Sequence, residues 1–311
     1  MNGQHKERTL AYFSMEIALE SEIPTYSGGL GVLSGDTLRS GADLGLPMVA
    51  ITLLYRKGYF VQTVDKDGWQ HEKEVLWDPG EALQKTEVSV DVGIEGRRVR
   101  LAAWRYDLKG ATGCAIPVYF LDADIEGNDP KDRKLTDQLY GGDHHNRICQ
   151  EVLLGIGGIR MLRVLGYNNI RRYHMNEGHT SLLTLELLDE YAAAHGKNPL
   201  DPITVEAIRA RCAFTTHTPV AAGHDRFPVD LAAKILGRPE IAGSPLFCRD
   251  GLLDMSDVGM NLSSRINAVA KKHAETSMKL YKRHVDAITN GVHAVTWTAQ
   301  PMREVFDRHI P

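Results

Sequence analysis

Apolar positions along this 311-residue chain fall into two spacings. Thr9 to Ser14 and Met48 to Tyr55 are short apolar runs, and the second suits a parallel strand buried on both faces. Between them, Ser27-Gly28-Gly29-Leu30-Gly31 leads into Ser34-Gly35-Asp36. Leu38, Ala42 and Leu46 then recur at helical spacing, with Gly45 as a stop signal. Strand, glycine turn, helix, strand is the order of a βαβ unit.

The middle of the chain changes character. Glu87 to Val92 alternates valine with serine and aspartate, Val99 to Tyr106 and Ile116 to Leu121 also read as strands, and Gly96-Arg97 predicts a hairpin turn. Residues 85–122 therefore read as an antiparallel β insertion or edge elaboration. Asp122 to Lys134 is charged, contains Gly127, Asn128 and Pro130, and reads as an exposed loop.

Helix and strand alternate again from Arg147. Ile148, Val152, Leu153, Ile156, Ile159, Leu162 and Leu165 predict one long helix, and Arg171 to Met175 a strand. Leu182 to Tyr191 and Ile203 to Arg211 read as helices, and Ala213 to Thr216 as a strand ending at His217. Leu262 to Arg283 predicts a second long helix, and Val285 to Thr289 a strand ending at Asn290-Gly291. The expected fold is α/β: a Rossmann-like, doubly wound, mostly parallel sheet with a small antiparallel insertion, in one domain over 1–311.

Composition narrows the function classes. A net charge of −4 leaves no basic field to attract nucleic acid or an anionic membrane. Met1 to Thr9 lacks the apolar core of a secretion signal, and no apolar run is long enough for a bilayer. A cytoplasmic protein is expected. Cys114, Cys149, Cys212 and Cys248 stand apart without a CxxC pair, which fits reduced thiols, and no metal site is expected.

Candidate chemistry gathers at strand ends. Asn176-Glu177-Gly178-His179, Thr215-Thr216-His217-Thr218-Pro219 and Thr289-Asn290-Gly291-Val292-His293 each follow a predicted parallel strand. That edge is where open α/β sheets bind ligands. Any one of these histidines alone is better explained as a packed core residue or an exposed one. Three clusters at three strand ends point instead to a ligand, and neutral amide, hydroxyl and imidazole groups suit sugar hydroxyls. Ser14-Met15-Glu16 adds a carboxylate near the glycine turn, which serves equally as an ordinary acidic residue at a helix start. Tyr140-Gly141-Gly142-Asp143-His144 reads as a flexible loop in which Asp143 is either a ligand or an N-cap. The glycines at 28, 29 and 31 follow neither the GxGxxG nor the P-loop pattern; they allow close backbone approach by a phosphate or sugar, and a turn that needs glycine only for its backbone angles explains them at least as well.

In this order the segments resemble the α-glucan phosphorylases (glycogen, starch and maltodextrin phosphorylases), with the flavour of the shorter bacterial and archaeal enzymes. The likeness is carried by Ala11-Tyr12-Phe13-Ser14-Met15-Glu16, Tyr26-Ser27-Gly28-Gly29-Leu30-Gly31-Val32-Leu33 and Leu54-Tyr55-Arg56-Lys57-Gly58-Tyr59-Phe60. It continues through Leu139-Tyr140-Gly141-Gly142-Asp143, Asn176-Glu177-Gly178-His179, His217-Thr218-Pro219 and Thr289-Asn290-Gly291. The resemblance implies the N-terminal half of a two-Rossmann-domain (GT-B) glycosyltransferase. Its reaction is phosphorolysis of a terminal α-1,4-linked glucose to glucose 1-phosphate, with pyridoxal phosphate contributing its phosphate group. It further implies His217 and Asn290 as catalytic groups gripping the glucose, with Gly28, Gly29, Leu30, Glu16, Asp143, His144, His179 and Thr218 as substrate-binding. Gly29 would also face the cofactor phosphate. Ser27 stands where many members have Asn.

The family's cofactor lysine lies in a Gly-Thr-x-Asn-Met-Lys-like run. The nearest match, Thr276-Ser277-Met278-Lys279, lacks the Gly and Asn and reads as part of an amphipathic helix with a surface lysine. The lysine and the phosphate-binding residues are thus expected in a C-terminal phosphorylase domain outside 1–311, joined in cis or in trans. The chain alone is expected to be inactive, and a homodimer is compatible with it. Two other readings stand beside this one: a glycogen or starch synthase-like half, disfavoured by Ser27 where those enzymes carry Lys, and a non-catalytic glucan-binding protein.

Overall fold

A computed structural model describes residues 7–218, 220 and 223–310. The chain start at 1–6 and Pro219 of the third motif lie outside these. The principal sheet has nine strands: β1 (Leu10–Ser14), β2 (Met48–Leu53), β3 (Gln84–Ile94), β4 (Arg97–Lys109), β5 (Ala115–Asp122), β6 (Arg172–Asn176), β7 (Cys212–Thr216), β8 (Arg265–Ala268) and β9 (Asp286–Ala287). Their order is β9-β8-β7-β6-β1-β2-β5-β4-β3. Pairing is parallel from β9 to β5 and antiparallel from β5 to β3. The sheet is therefore Rossmann-like and mostly parallel. Residues 85–122 form its edge rather than a separate unit, because β5 continues the parallel pairing from β2.

Alternation within β1 decides the layers. Ala11 and Phe13 join a core cluster with Ile51, Leu153, Leu162 and Leu188, on the face covered by helices α2 (His144–Val152), α3 (Gly158–Val164) and α4 (Leu183–His195). Tyr12 joins the other cluster with Ala50, Phe120, Leu38 and Ala42, under α1 (Gly29–Asp43). Fully burying a side chain such as Phe13 contributes about 1.5–3 kcal/mol, so both faces need cover and the sheet is doubly wound. Among the described residues no helix is long and apolar enough to cross a membrane.

Several predicted boundaries move. Leu262 to Arg283 is not one helix: β8 comes first, then α5 (Lys271–Tyr281). Ile266 and Ala268 sit in register with Phe214 and Thr216, and that pairing overrides a helical spacing which short apolar runs satisfy by chance. The last predicted strand shrinks to the two residues of β9, leaving Asn290 beyond it. The helix expected from Arg147 starts at His144 and passes through a π-turn at Leu153–Gly157. The hairpin turn falls at Glu95-Gly96, both with positive φ. The stretch from Asp122 to Lys134 is not simply an exposed loop. It holds a short helix at Pro130–Arg133, and buried Asp122 and Asp132 pair with Arg56 (2.5 Å) and Arg97 (3.0 Å).

Candidate functional site

The strand order reverses between β1 and β6, the position where such sheets place ligands. Ser14 and Asn176 face each other there in register at the carboxyl ends of the two strands. The Asn176 amide donates to Ser14 Oγ (3.1 Å) and Ser34 Oγ (2.7 Å), and its Oδ1 accepts from His217 Nε2. An amide oxygen only accepts, so this bond places the His217 proton on Nε2 and leaves Nδ1 as an acceptor. Burial presses the His217 pKa down to about 4, against the pull of Glu177, and the ring is neutral at pH 7.

Two carboxylates shape the neighbouring loops. Glu177 is buried, with φ at +75°, a left-handed conformation costly for a residue with a side chain. Its Oε2 accepts from the backbone N–H groups of His217 (2.7 Å) and Thr218 (3.1 Å) and from Thr218 Oγ1 (3.2 Å). Its Oε1 accepts from Gly178 N (3.0 Å) and Ser256 Oγ (3.3 Å). Glu177 thus holds the loop after β7 against the loop after β6.

Glu16 does the same for the glycine turn. Its Oε2 accepts from Ser27 N (2.6 Å) and Gly28 N (3.2 Å), and its Oε1 from the Tyr140 hydroxyl (2.8 Å). A Cβ at Gly31 would lie 2.8 Å from Glu16 Oε2 and 2.6 Å from Tyr26 Cβ, so only glycine admits this contact. Both Glu16 oxygens and the Gly28 N–H are thereby engaged within the protein. The donors left at the start of α1 are those of its first turn, beginning at Gly29 and Leu30. Side-chain space above Gly28 and Gly29 is open: a Cβ on either would meet nothing within 4 Å.

His179 reaches this group through Tyr140, whose ring centroid is 5.6 Å away. Its Nε2 pairs with Asp225 Oδ2 (3.0 Å), which also meets Arg147 (2.6 Å). Burial alone would raise the Asp225 pKa, but His179 and Arg147 outweigh it and hold the carboxyl well below the usual range. Beneath them Glu151 is fully buried, and burial, reinforced by Asp225 and opposed by Arg147, pushes its carboxyl well above the usual carboxylate range.

Asn290 is exposed, anchored by its N–H to Val269 O (3.1 Å). It borders a cavity of about 220 Å³ with Tyr12, Thr37, His174, Asn176 and Asn267. There His174 bonds to Thr215 Oγ1 and Thr215 Oγ1 donates to Asn267, both at 2.9 Å. Burial, aided by His217, brings the His174 pKa down to about 4. Asn176 is the common wall between this cavity and His217.

The remaining sequence candidates sit further out. Asp143 caps α2 by accepting from Asn146 N (2.9 Å) and is exposed. His144 is exposed, its ring 6.0 Å from Phe227. Lys279 is exposed on α5, whose buried positions include His273, Ala274, Ser277 and Tyr281. Sequence reasoning passed over Asn176 and Glu177 as individual residues although it marked their motif. Their chain position, directly after a predicted strand, was the available signal. It missed His174, Arg147, Asp225 and Asn267 entirely; Asn267 was hidden inside the helix predicted at Leu262 to Arg283.

No protein-family model matches the sequence. The chain is 37% identical over 327 residues to the maltodextrin phosphorylase of Thermococcus litoralis, covering 98% of this chain and 38% of that protein. It is 37% identical to the glycogen phosphorylase of Mycobacterium tuberculosis, covering 93% of this chain and 37% of that one. With the glycogen phosphorylase of Aquifex aeolicus the identity is 27%, covering 98% and 46%. The chain thus spans less than half the length of these relatives. Over nearly all of its own length, it is a homologue of the α-glucan phosphorylases and corresponds to rather more than a third of such an enzyme.

Proposed function

We propose that this chain is the glucose-binding half of an α-glucan phosphorylase of the GT-B type, acting with a C-terminal phosphorylase domain in cis or in trans. The reaction is phosphorolysis of a terminal α-1,4-linked glucose to glucose 1-phosphate. The observation that carries this reading is the convergence of His217, Asn176 and the open glycine turn on the β1–β6 switch point, in a chain related to phosphorylases throughout. His217 and Asn290 grip the hexose. The Nδ1 acceptor of His217 suits a sugar hydroxyl, and Asn176 keeps that tautomer in place. Glu177 acts as a positioning residue, setting the His217–Thr218 backbone. His179, Thr218, Asp143 and His144 complete the proposed substrate surround.

The residues at the glycine turn fit the phosphate side of pyridoxal phosphate, because the first turn of α1 begins at Gly29, where the helix leaves N–H groups without intrahelical acceptors, and a Cβ on Gly28 or Gly29 would meet nothing within 4 Å. When bound, that cofactor supplies a phosphate that exchanges protons with the substrate phosphate. The covalent anchor is assigned to the other domain, since Lys279 lies exposed on α5. This chain's part is to orient the glucose, present neutral hydrogen-bonding groups to the developing charge, and help exclude water.

The test is reconstitution: the chain is mixed with a separately expressed C-terminal phosphorylase domain, and phosphate-dependent release of glucose 1-phosphate from maltoheptaose is assayed. Activity is expected in the mixture and in neither part alone. Silence from two folded partners that bind each other would refute the proposal.

A further inference from the structure

The segment from Leu54 to Phe60 has no part in the site described so far. Its backbone is laced to residues 136–139: Arg56 N donates to Thr136 O (3.1 Å), Lys57 N to Asp137 O (2.7 Å) and Leu139 N to Gly58 O (2.9 Å). Gly58 has φ +56°, and a Cβ there would sit 2.8 Å from Pro24 O, so the turn requires glycine. The consequence is a rigid presentation of the next two side chains. Tyr59 and Phe60 lie ring on ring, with centroids 4.2 Å apart and planes 32° apart, and Tyr59 is 40% exposed.

These two rings form one wall of a groove of about 340 Å³. The antiparallel hairpin Val61–Val64 with Gln70–Lys73 follows directly and brings Glu72 and Lys73 to the groove, Glu74 lines it just past the hairpin, and Gln138 and Tyr140 line it as well. The volume lies within the range of roughly 300–1,000 Å³ common to small-molecule sites. Tyr140 joins the groove to the glycine turn, because its hydroxyl is bonded to Glu16.

The chemistry of the lining selects a ligand class. An apolar platform edged by carboxylates and an amide suits a neutral molecule with an apolar face and a rim of hydroxyls. A pyranose is built that way: its axial C–H bonds face an aromatic ring and its hydroxyls point sideways. Two carboxylates against the single cation Lys73 disfavour a phosphate or a nucleic acid. We propose that the groove is an outlying subsite for an α-glucan chain. One glucose unit rests on Tyr59 and Phe60, Glu72, Glu74 and Gln138 bind its hydroxyls, and the chain runs past Tyr140 toward the glycine turn. The inference rests on the function proposed above.

Calorimetric titration of the full chain with glucose and with maltoheptaose tests it. Tyr59→Ala and Phe60→Leu should each weaken maltoheptaose binding by about fivefold while glucose binding stays unchanged. Phe60→Leu retains apolar bulk, so its circular dichroism should match the parent. Unaltered maltoheptaose affinity in folded variants overturns the subsite and leaves the proposed function standing. A parent chain that binds no glucan overturns both. Should neither variant fold, nuclear Overhauser contacts on the unmutated chain decide: contacts between maltoheptaose C–H protons and the Tyr59 or Phe60 ring protons support the subsite, and their absence with bound sugar overturns it.

Discussion

Glu16 and Glu177 stand just beyond adjacent parallel strands, both buried, both receiving backbone N–H groups from a loop that shapes the site. They differ in where their second oxygen goes. Glu177 spends it on Gly178 N and Ser256 Oγ, inside its own surroundings at a strained left-handed residue. Glu16 gives it to Tyr140, 124 residues away, in the segment that also borders the groove beside Tyr59. The first carboxylate is a closed clamp that sets His217. The second couples the glycine turn to a separate loop. The contrast teaches that one carboxylate's remaining lone pair separates a fixed wall from a connected one.

The largest effect should come from Glu177→Ala. It leaves the N–H groups of Gly178, His217 and Thr218 without their charged acceptor and should lower stability by about 3 kcal/mol. Urea denaturation would read it, and a loss below about 1 kcal/mol would end the description of Glu177 as a clamp. Gly31→Ala attacks the other carboxylate by volume alone, forcing a Cβ onto Glu16 and Tyr26. A loss of about 1–3 kcal/mol is expected in the same measurement, and an unchanged midpoint would show that the glycine turn yields where we describe a tight fit. Smallest is Tyr140→Phe, which removes one hydrogen bond to a carboxylate and should cost about 1–2 kcal/mol. The sharper reading there is amide hydrogen exchange: faster exchange at Ser27 and Gly28 is expected, with Gly178 and His217 unmoved. Equal changes at both loops would erase the distinction between the two carboxylates.

Much of this was legible in the chain. Continuous apolar runs mark β1 and β2, valine alternation marks β3, and polar clusters directly after strands mark the residues now seen near Asn176 and His217. Those signals are local: periodicity and turn chemistry act within a few residues of themselves. The failures were of the other kind. Ile266 and Ala268 fit a helix until Phe214 and Thr216 are placed beside them. Asp122 and Asp132 read as loop charges until Arg56 and Arg97 arrive to neutralise them in a buried setting.

Local pattern alone therefore determined the α/β character, the order of most strands and helices, and the stretches that carry polar groups at strand ends. Only the tertiary structure decided what those groups do to one another. Sheet order set Ser14 against Asn176, and packing chose Tyr140 for Glu16 and Asp225 for His179. The physical reason is that a buried carboxylate or imidazole takes its protonation state and its role from partners far along the chain, and spacing in sequence holds no record of that distance in space.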